Sequence, residues 1–527
     1  MKNFKSSRIT TMRTLTITGI LLMLFVVIAC TDNFEEINTD PTSVTDVPPE
    51  MLFTRGLVYG ALRYDVYQRA KDLYGNRYSQ YFANSQTGWG TDRYETNQDW
   101  LTRLWTSSYS DFGINIAEAI QKTDDDPDLA NLNAQARIWH AFTMHRVTDF
   151  FGDIPYSEAF QEDLRPAYDS QEDIYNHMLE DLRDAVDQLD EGLEYRTGDA
   201  DVLFHDDLDQ WRRFGNSLRL RLAMRVAYAD QDLAQEHVSD VLNTGLIISG
   251  NDQNAYLETD PGGGTGDLVH ENPMYWVYSF DEYRVSEKMI DRLTGYDDPR
   301  LEIYARPNVR RQFAGLPNGL SDSQLGDHPD RNYSTQGALF VQQDTPIPFI
   351  TYAEVKFLEA EAALRGWGPG NAADHYEEGI RANMEHLNWL IDYVERDLED
   401  DKIAQDEIDD YVGQSGVAYE SGASFEEQLE QIMTQKWLAI YGQGLEAWAE
   451  MRRTGFPEPY EIAAPGGGET DGQLPRRVRY PSEEEGLNPD NLREAIERQD
   501  GDPGDFRMHP TRRMWWDANP DIHVDEM

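Results

Sequence analysis

The sequence predicts a mainly α fold, in which tetratricopeptide-like helix pairs form a superhelical scaffold with long loop-rich insertions and few short strands. Apolar residues recur at helical spacing in well-separated stretches. Ile174, Met178, Leu182, Ala185 and Leu189 make one stripe; Trp211, Phe214, Leu218, Leu222 and Val226 make another. Two further stretches, 352–366 and 372–388, are joined by Gly366-Trp367-Gly368-Pro369-Gly370. They carry small residues, Ala360, Ala362, Ala363 and Ala372, that let two helices of a hairpin approach closely. Between such pairs the chain turns dense in Gly, Pro, Asn and Asp, over 251–283, 305–348 and 456–491, which is loop composition with room for short strands.

From the N-terminus, residues 1–29 read as an export signal. Lys2, Lys5, Arg8 and Arg13 form a basic front. Leu15 to Ile28 is apolar but too short for a membrane helix, and Ala29 is the small residue before the break. Cys30 follows. It is the only cysteine in 527 residues, and it stands where bacterial lipoprotein processing needs a thiol to carry diacylglycerol. Val27 and Ile28 depart from the Leu and the small residue usual before such a cysteine. More than one acyl chain makes an anchor of this kind stable rather than reversible. With no second cysteine, core burial alone must hold the exported chain. Residues 30–50, polar and broken by Pro41, Pro48 and Pro49, read as a lipid-anchored tether, and 51–527 as a single domain.

Within that domain, 131–150 is helical by periodicity, and Gly152 closes it where a left-handed residue is needed. Ser170, three residues before Asp173, resembles a capping box for the 174–189 stripe, whose other face of Glu180, Asp184 and Asp187 is solvated. Ser424 and Glu427 open a further helix through Leu429, Ile432, Lys436 and Ile440. Trp211, Trp437 and Trp448 lie on apolar stripes and belong to the core. Arg219, Arg221 and Arg225 are expected to pair with carboxylates.

The formal charge is −51, and loss of the basic signal takes the mature chain to about −55. Nucleic acid is thereby excluded as a partner, since phosphate binding needs a positive face. Acidity with only eight lysines suits salt-rich surroundings, where screening removes self-repulsion. No catalytic motif stands out: there is no His-Glu-x-x-His, no Gly-x-Ser-x-Gly and no phosphate loop. His140 and His145 are spaced onto different helix faces, which disfavours a shared metal. Carboxylate pairs are too common among 97 acidic residues to mark a glycosidase. Asp500-Gly501-Asp502-Pro503-Gly504-Asp505 offers oxygen ligands of the kind calcium takes, but lacks the closing Glu of an EF-hand. A solvated acidic turn accounts for it, and no cofactor is expected.

Five blocks then resemble one family. They are Cys30-Thr31-Asp32-Asn33-Phe34-Glu35-Glu36-Ile37-Asn38, Asp149-Phe150-Phe151-Gly152-Asp153-Ile154-Pro155-Tyr156, Asn216-Ser217-Leu218-Arg219-Leu220-Arg221-Leu222-Ala223, Tyr352-Ala353-Glu354-Val355-Lys356-Phe357-Leu358-Glu359-Ala360-Glu361, and Gln435-Lys436-Trp437 with Gly442, Glu446-Ala447-Trp448 and Arg452-Arg453-Thr454-Gly455. In this order they resemble the SusD/RagB nutrient-binding outer-membrane lipoproteins of Bacteroidetes-type bacteria. The resemblance implies a non-catalytic protein that binds glycan or oligosaccharide, sometimes peptide. It also implies a partner, a SusC-like TonB-dependent transporter, over which the lipoprotein sits as a lid. Asp32, Glu35 and Glu36 look like the surface-export signal of such lipoproteins. A surface polysaccharide hydrolase and a non-transport adhesin or structural envelope lipoprotein are the rival readings.

Sugar rings present C–H faces on which aromatic rings stack, so ligand residues should be aromatics in loops, off the stripes. Trp89 and Tyr94 qualify, in Gln86-Thr87-Gly88-Trp89-Gly90-Thr91-Asp92-Arg93-Tyr94. So do Trp276, Tyr278 and Tyr283 in the insertion, with Asn97 and Arg284 as polar partners. Mass spectrometry of the protein from membranes should find its N-terminus at an acylated Cys30; an unmodified Cys30 would remove the anchor.

Overall fold

The computed structural model describes residues 47–525, apart from 62, 162–163, 260–270, 395–397, 503 and 505–507. The expected export signal, Cys30 and nearly all of the tether lie outside the described residues, as does part of the acidic turn at 500–505. Pro49–Met527 forms one compact unit.

Most long helices begin at a polar residue whose side chain accepts from a backbone N–H of the first turn, relieving a donor the helix leaves unpaired. Asn97 does this for α2, Ser170 for α5, Asp207 for α6, Asp230 for α7, Thr351 for α10, Asn371 for α11 and Ser424 for α13. The elements run α1 (Pro49–Gly60), a π-helical segment (Tyr67–Asn76), β1 (Phe82–Asn84), α2 (Gln98–Ser107), α3 (Gly113–Thr123), α4 (Ala130–Phe151), α5 (Gln171–Gln188), α6 (Leu208–Arg225) and α7 (Gln231–Thr244). Then come β2 (Ala255–Leu257), α8 (Pro273–Ser279), β3 (Tyr283–Val285), α9 (Glu287–Gly295), β4 (Ala305–Arg306), β5 (Thr335–Gln336) and β6 (Ile347–Ile350). The chain closes with α10 (Tyr352–Leu364), α11 (Ala372–Tyr393), α12 (Gln405–Gly413), α13 (Phe425–Ala439), α14 (Gly444–Thr454) and α15 (Pro489–Arg498).

Consecutive helices pack on one another from α3 through α7, which is how helix pairs build a superhelix. α10 and α11 form the expected hairpin, and α10 also packs on α6 and α13. Gly379 on α11 lets the helices close: a Cβ there would meet the Phe357 ring at 2.9 Å. Gly366 ends α10 with φ 75°, and the Trp367 N–H donates back to Ala362 O at 2.8 Å. The strands are few, as expected, and form only two-stranded antiparallel ladders: β1 with β3, β2 with β6, β4 with β5.

Two local expectations change. Gly152 does end α4, but at φ 91° and ψ −129°, a glycine region other than left-handed α. A Cβ there would also lie 2.4 Å from Gln499 Oε1. The segment holding Trp276 and Tyr278 is a short helix, α8, rather than loop. Asn272 caps it and Pro273 sits at its first position, where a missing N–H costs nothing.

Trp211, Trp437 and Trp448 are buried, as are Arg219, Arg221 and Arg225. Arg219 pairs with Asp240 at 2.7 Å, while Arg221 and Arg225 belong to a buried ionic network. Arg221 grips Glu354 of α10 with two 2.7 Å hydrogen bonds, and Arg225 donates to Glu446 of α14 at 2.6 Å. Arg453 of α14 grips Glu361 of α10 at 2.7 and 2.6 Å and donates to Glu450 at 2.6 Å. Lys436 of α13 lies 3.3 Å from Glu450, and Arg365 is 2.9 Å from Glu361. Asp149 of α4 accepts from Tyr175 at 2.5 Å and lies 4.0 Å from Arg225. Five cations thus meet five carboxylates.

Burial pushes the Glu450 carboxyl up, but Arg453, Lys436 and Arg225 outweigh it and hold it well below the ordinary glutamate value of 4.5. Glu446 is held down likewise by Arg225, Arg221 and Lys436 against its burial. A depressed folded-state value means this stability is full above about pH 4.5 and is lost as pH falls through the folded value. Glu446→Gln should cost about 3–5 kcal/mol in urea unfolding, because it leaves guanidinium charge buried without a partner. The acid limb of the wild-type stability curve should fall below pH 4.5.

Candidate functional site

The β1–β3 ladder pairs Asn84 with Tyr283 and so sets the loop after β1 beside the turn before β3. Ser85 N donates to Glu282 O at 3.0 Å and Gln86 Nε2 to Asp281 O at 3.0 Å. Gly88 N donates to Asp322 Oδ1 at 3.1 Å, drawing a third segment to the same rim.

A chain of buried polar groups fixes this loop from below. Arg77, paired with Asp72 at 2.9 Å, donates from Nε to Asn84 Oδ1 at 2.7 Å. Asn84 Nδ2 donates to Trp89 O at 2.8 Å and to Asp92 Oδ1 at 3.1 Å. Asp92 also accepts from the N–H groups of Asn84 and Gly319, at 2.9 and 3.0 Å. Burial raises its carboxyl value, and these donors with Arg77 and Arg93 only partly oppose the rise.

On top lies Trp89, half-buried, its ring stacked on Trp100 at 4.9 Å and 29°. Trp100 stands in the first turn of α2, where Asn97 Oδ1 accepts its N–H at 3.3 Å. Two stacked indoles on a braced loop give an aromatic platform. Around it stand exposed Gln86, Asp281 and Asp322, groups suited to hydroxyls, and Phe280, 38% exposed.

The remaining sequence-selected residues divide. Trp276 and Tyr278 are half-buried on α8, with Trp276 Nε1 donating to Glu271 at 2.6 Å. Tyr94 and Tyr283 are only 2% and 4% exposed, so neither offers a face to a ligand, contrary to expectation. Tyr94 packs edge-on against Tyr78 at 5.4 Å with a left-handed φ of 63°. The Tyr283 hydroxyl donates to Gln336 at 2.6 Å. Asn97 is spent as a helix cap, and Arg284 is buried between Asp281 and Asp330. Sequence reasoning missed Trp100, Phe280 and Asp322. For Trp100 the signal was there: it falls just off the Leu101, Leu104, Trp105 stripe of α2.

The two histidines of α4 do not converge. His145 is buried and bonds Ala141 O of its own helix at 3.3 Å, while His140 lies 5.3 Å from the Tyr156 ring. Among the described residues, one group has metal-ligand proximity: Glu180, Glu236 and His237. His237 Nδ1 accepts from Arg219 at 2.8 Å, which places the ring proton on Nε2, the atom facing Glu180. That tautomer has no lone pair to give a metal there.

The chain matches the model of the SusD-like family, described as Susd and RagB outer membrane lipoprotein, over residues 49–517. Among solved structures it is similar to a chitin-binding protein, at 27% identity over 90% of this chain and 100% of the other, with a TM-score of 0.78. A chitin-binding SusD homolog from Flavobacterium johnsoniae matches at 26% identity over 89% and 98%, TM-score 0.75. A SusD homolog from Bacteroides thetaiotaomicron matches at 28% over 90% and 100%, TM-score 0.73. No curated protein matches the sequence.

Asp92→Ala strips the acceptor from three donors. It should cost about 1–3 kcal/mol of stability, and limited proteolysis should then cut within 85–90 faster than in the wild type.

Proposed function

Since the chain belongs to the SusD/RagB family of outer-membrane lipoproteins, we infer that it is a non-catalytic, surface-exposed glycan-binding subunit that delivers oligosaccharide to a SusC-like TonB-dependent transporter. The observation that carries this reading is the Trp89–Trp100 platform, held rigid by the Asp72–Arg77–Asn84–Asp92 chain and rimmed by exposed amide and carboxylate groups. A pyranose ring stacks on an indole face, and the rim groups take its hydroxyls. Trp276 and Tyr278, half-buried on α8, are the further aromatic candidates for contacts to a longer oligosaccharide.

The chitin-binding relatives support a glycan over a peptide. The net charge of −51 favours a neutral or cationic glycan, because a polyanionic one would be repelled on approach. In this reading acylated Cys30 holds the protein to the outer membrane, beside the transporter that it serves. The protein needs no catalytic group, because the transporter takes up what the platform holds.

Calorimetry with a panel of oligosaccharides, chitooligosaccharides first, tests the binding. Trp89→Ala should weaken the best ligand at least about tenfold, or about 1.4 kcal/mol, with an unchanged melting curve. Full affinity in that variant would remove the platform. Detergent purification should bring down a TonB-dependent transporter in stoichiometric amount; its absence would favour a free-standing adhesin.

A further inference from the structure

A second cleft opens elsewhere, between the π-helical segment, α4, β6 and the start of α14. Its walls are apolar, chiefly Phe142, Pro348, Phe349 and Leu445. Its charged lining is unusual for so acidic a protein: four basic side chains, Lys71, Arg146, Arg221 and Arg452, against two acidic ones, Asp149 and Glu446. Both carboxylates are already engaged, Glu446 by Arg225 and Asp149 by Tyr175. Arg221 is satisfied by Glu354, and Arg452 by the carbonyls of Asp149 and Arg476 at 2.8 and 2.7 Å.

Lys71 and Arg146 are left over. Among the described residues no carboxylate is in ion-pair contact with either. The Lys71 ammonium lies 5.0 Å from the Tyr67 ring centre. Arg146 donates to Gly60 O and lies 4.5 Å from the Phe142 ring centre, while its buried Nε has no partner. Lys71 also borders a second cavity on the other side of Ile347 and Pro348. We propose that this cleft binds a small carboxylate, its acid group taken by Lys71 and Arg146 and its carbon body laid on Phe349, Pro348 and Leu445.

The electrostatics of the surroundings agree. Burial, then the Arg146 guanidinium, lowers Lys71 to about 7. Burial, then Arg221, Arg146 and Arg225, keeps His145 neutral. Burial, then Arg221, lowers Arg146 as well. Each positive charge is thus disfavoured in part by another guanidinium, and a bound anion relieves them together. Among the other titratable groups facing the two cavities, burial lowers Arg452 to about 9, against the opposing pull of Asp149 and Asp517. Burial raises Tyr67, Tyr256 and Tyr441, and lowers His386 to about 4. Burial raises Asp149, opposed by Arg225 and the Tyr175 hydroxyl; burial pushes Glu446 up but Arg225, Arg221 and Lys436 hold it down; and burial disfavours the Arg221 charge but Glu354 and Glu446 outweigh it. A carboxylate therefore binds protonated Lys71, and its affinity falls as pH rises past 7.

The test is calorimetry on the full processed chain in detergent, with acetate, benzoate and glucuronate as probes and chloride as control. At pH 6 one carboxylate should bind saturably and weaken by up to about tenfold per pH unit above 7. Benzoate binding tighter than glucuronate assigns the site to apolar acids; the reverse assigns it to acidic sugars. Lys71→Met and Arg146→Gln should each weaken binding at least about tenfold and leave oligosaccharide affinity unchanged. Lys71→Arg, which keeps the charge, should bind without the pH dependence and guards against a folding artefact in the other variants. No saturable binding at about 10 mM, chloride binding as tightly as the carboxylates, or unchanged binding in Lys71→Met would each overturn the proposal.

Discussion

The scaffold depends on charges that it keeps out of water. Arg221, Arg225, Lys436, Arg365 and Arg453 meet Asp149, Glu354, Glu361, Glu446 and Glu450 in the region where α4, α6, α10, α13 and α14 converge. Apolar burial drives these helices together without fixing how they are set, because ridges pack into grooves at several registers. The ion pairs remove that freedom. Sliding α10 by one turn would strand Glu354 and Glu361 without their guanidiniums, and a buried unpaired charge costs several kcal/mol. Satisfied, the network contributes little net stability. Its part is to make every alternative arrangement worse.

The platform depends on the same device at smaller scale. Arg77 and Asp72 neutralise each other and lend Arg77 Nε to Asn84, which fixes both Asp92 and the carbonyl of Trp89. A loop of Gly-Trp-Gly composition has no stiffness of its own. It is rigid because the buried polar groups beneath it hold its backbone and one another through several hydrogen bonds at once. The indole pair can then offer a face to a ligand without first being ordered, which is the entropy cost that flexible binding loops carry.

Much of this was legible in the sequence. Period and capping residues placed α5, α6, α10, α11 and α13, and the small residues of the α10–α11 hairpin foretold its close approach. The motif blocks that carry the family resemblance are largely the ionic network itself, seen one helix at a time. What sequence could not supply is which arginine meets which carboxylate, since partners such as Arg225 and Glu446 lie 221 residues apart. The same limit misplaced Tyr94 and Tyr283. Both stand in loop-like or strand-edge sequence, yet contacts that periodicity does not report, Tyr78 for Tyr94 and Gln336 for Tyr283, draw them inward. Trp276 and Tyr278 sat beside Pro273, which reads as a turn until Asn272 is seen to cap a helix there. Trp100 was passed over because helical periodicity describes the buried stripe and is silent on neighbours that face a loop.

The internal network is balanced, five charges against five, so the whole excess, −51 for the full sequence and about −55 without the basic signal, is carried outside it. The interior is therefore indifferent to salt while the exterior is clothed in counterions. Anchored by lipid as proposed, neighbouring copies would share one membrane plane and repel through that ionic coat. Its thickness is about 8 Å at physiological ionic strength and about 3 Å at 1 M. The salinity of the surroundings would then set how densely the protein can crowd on a cell, with no change in its fold.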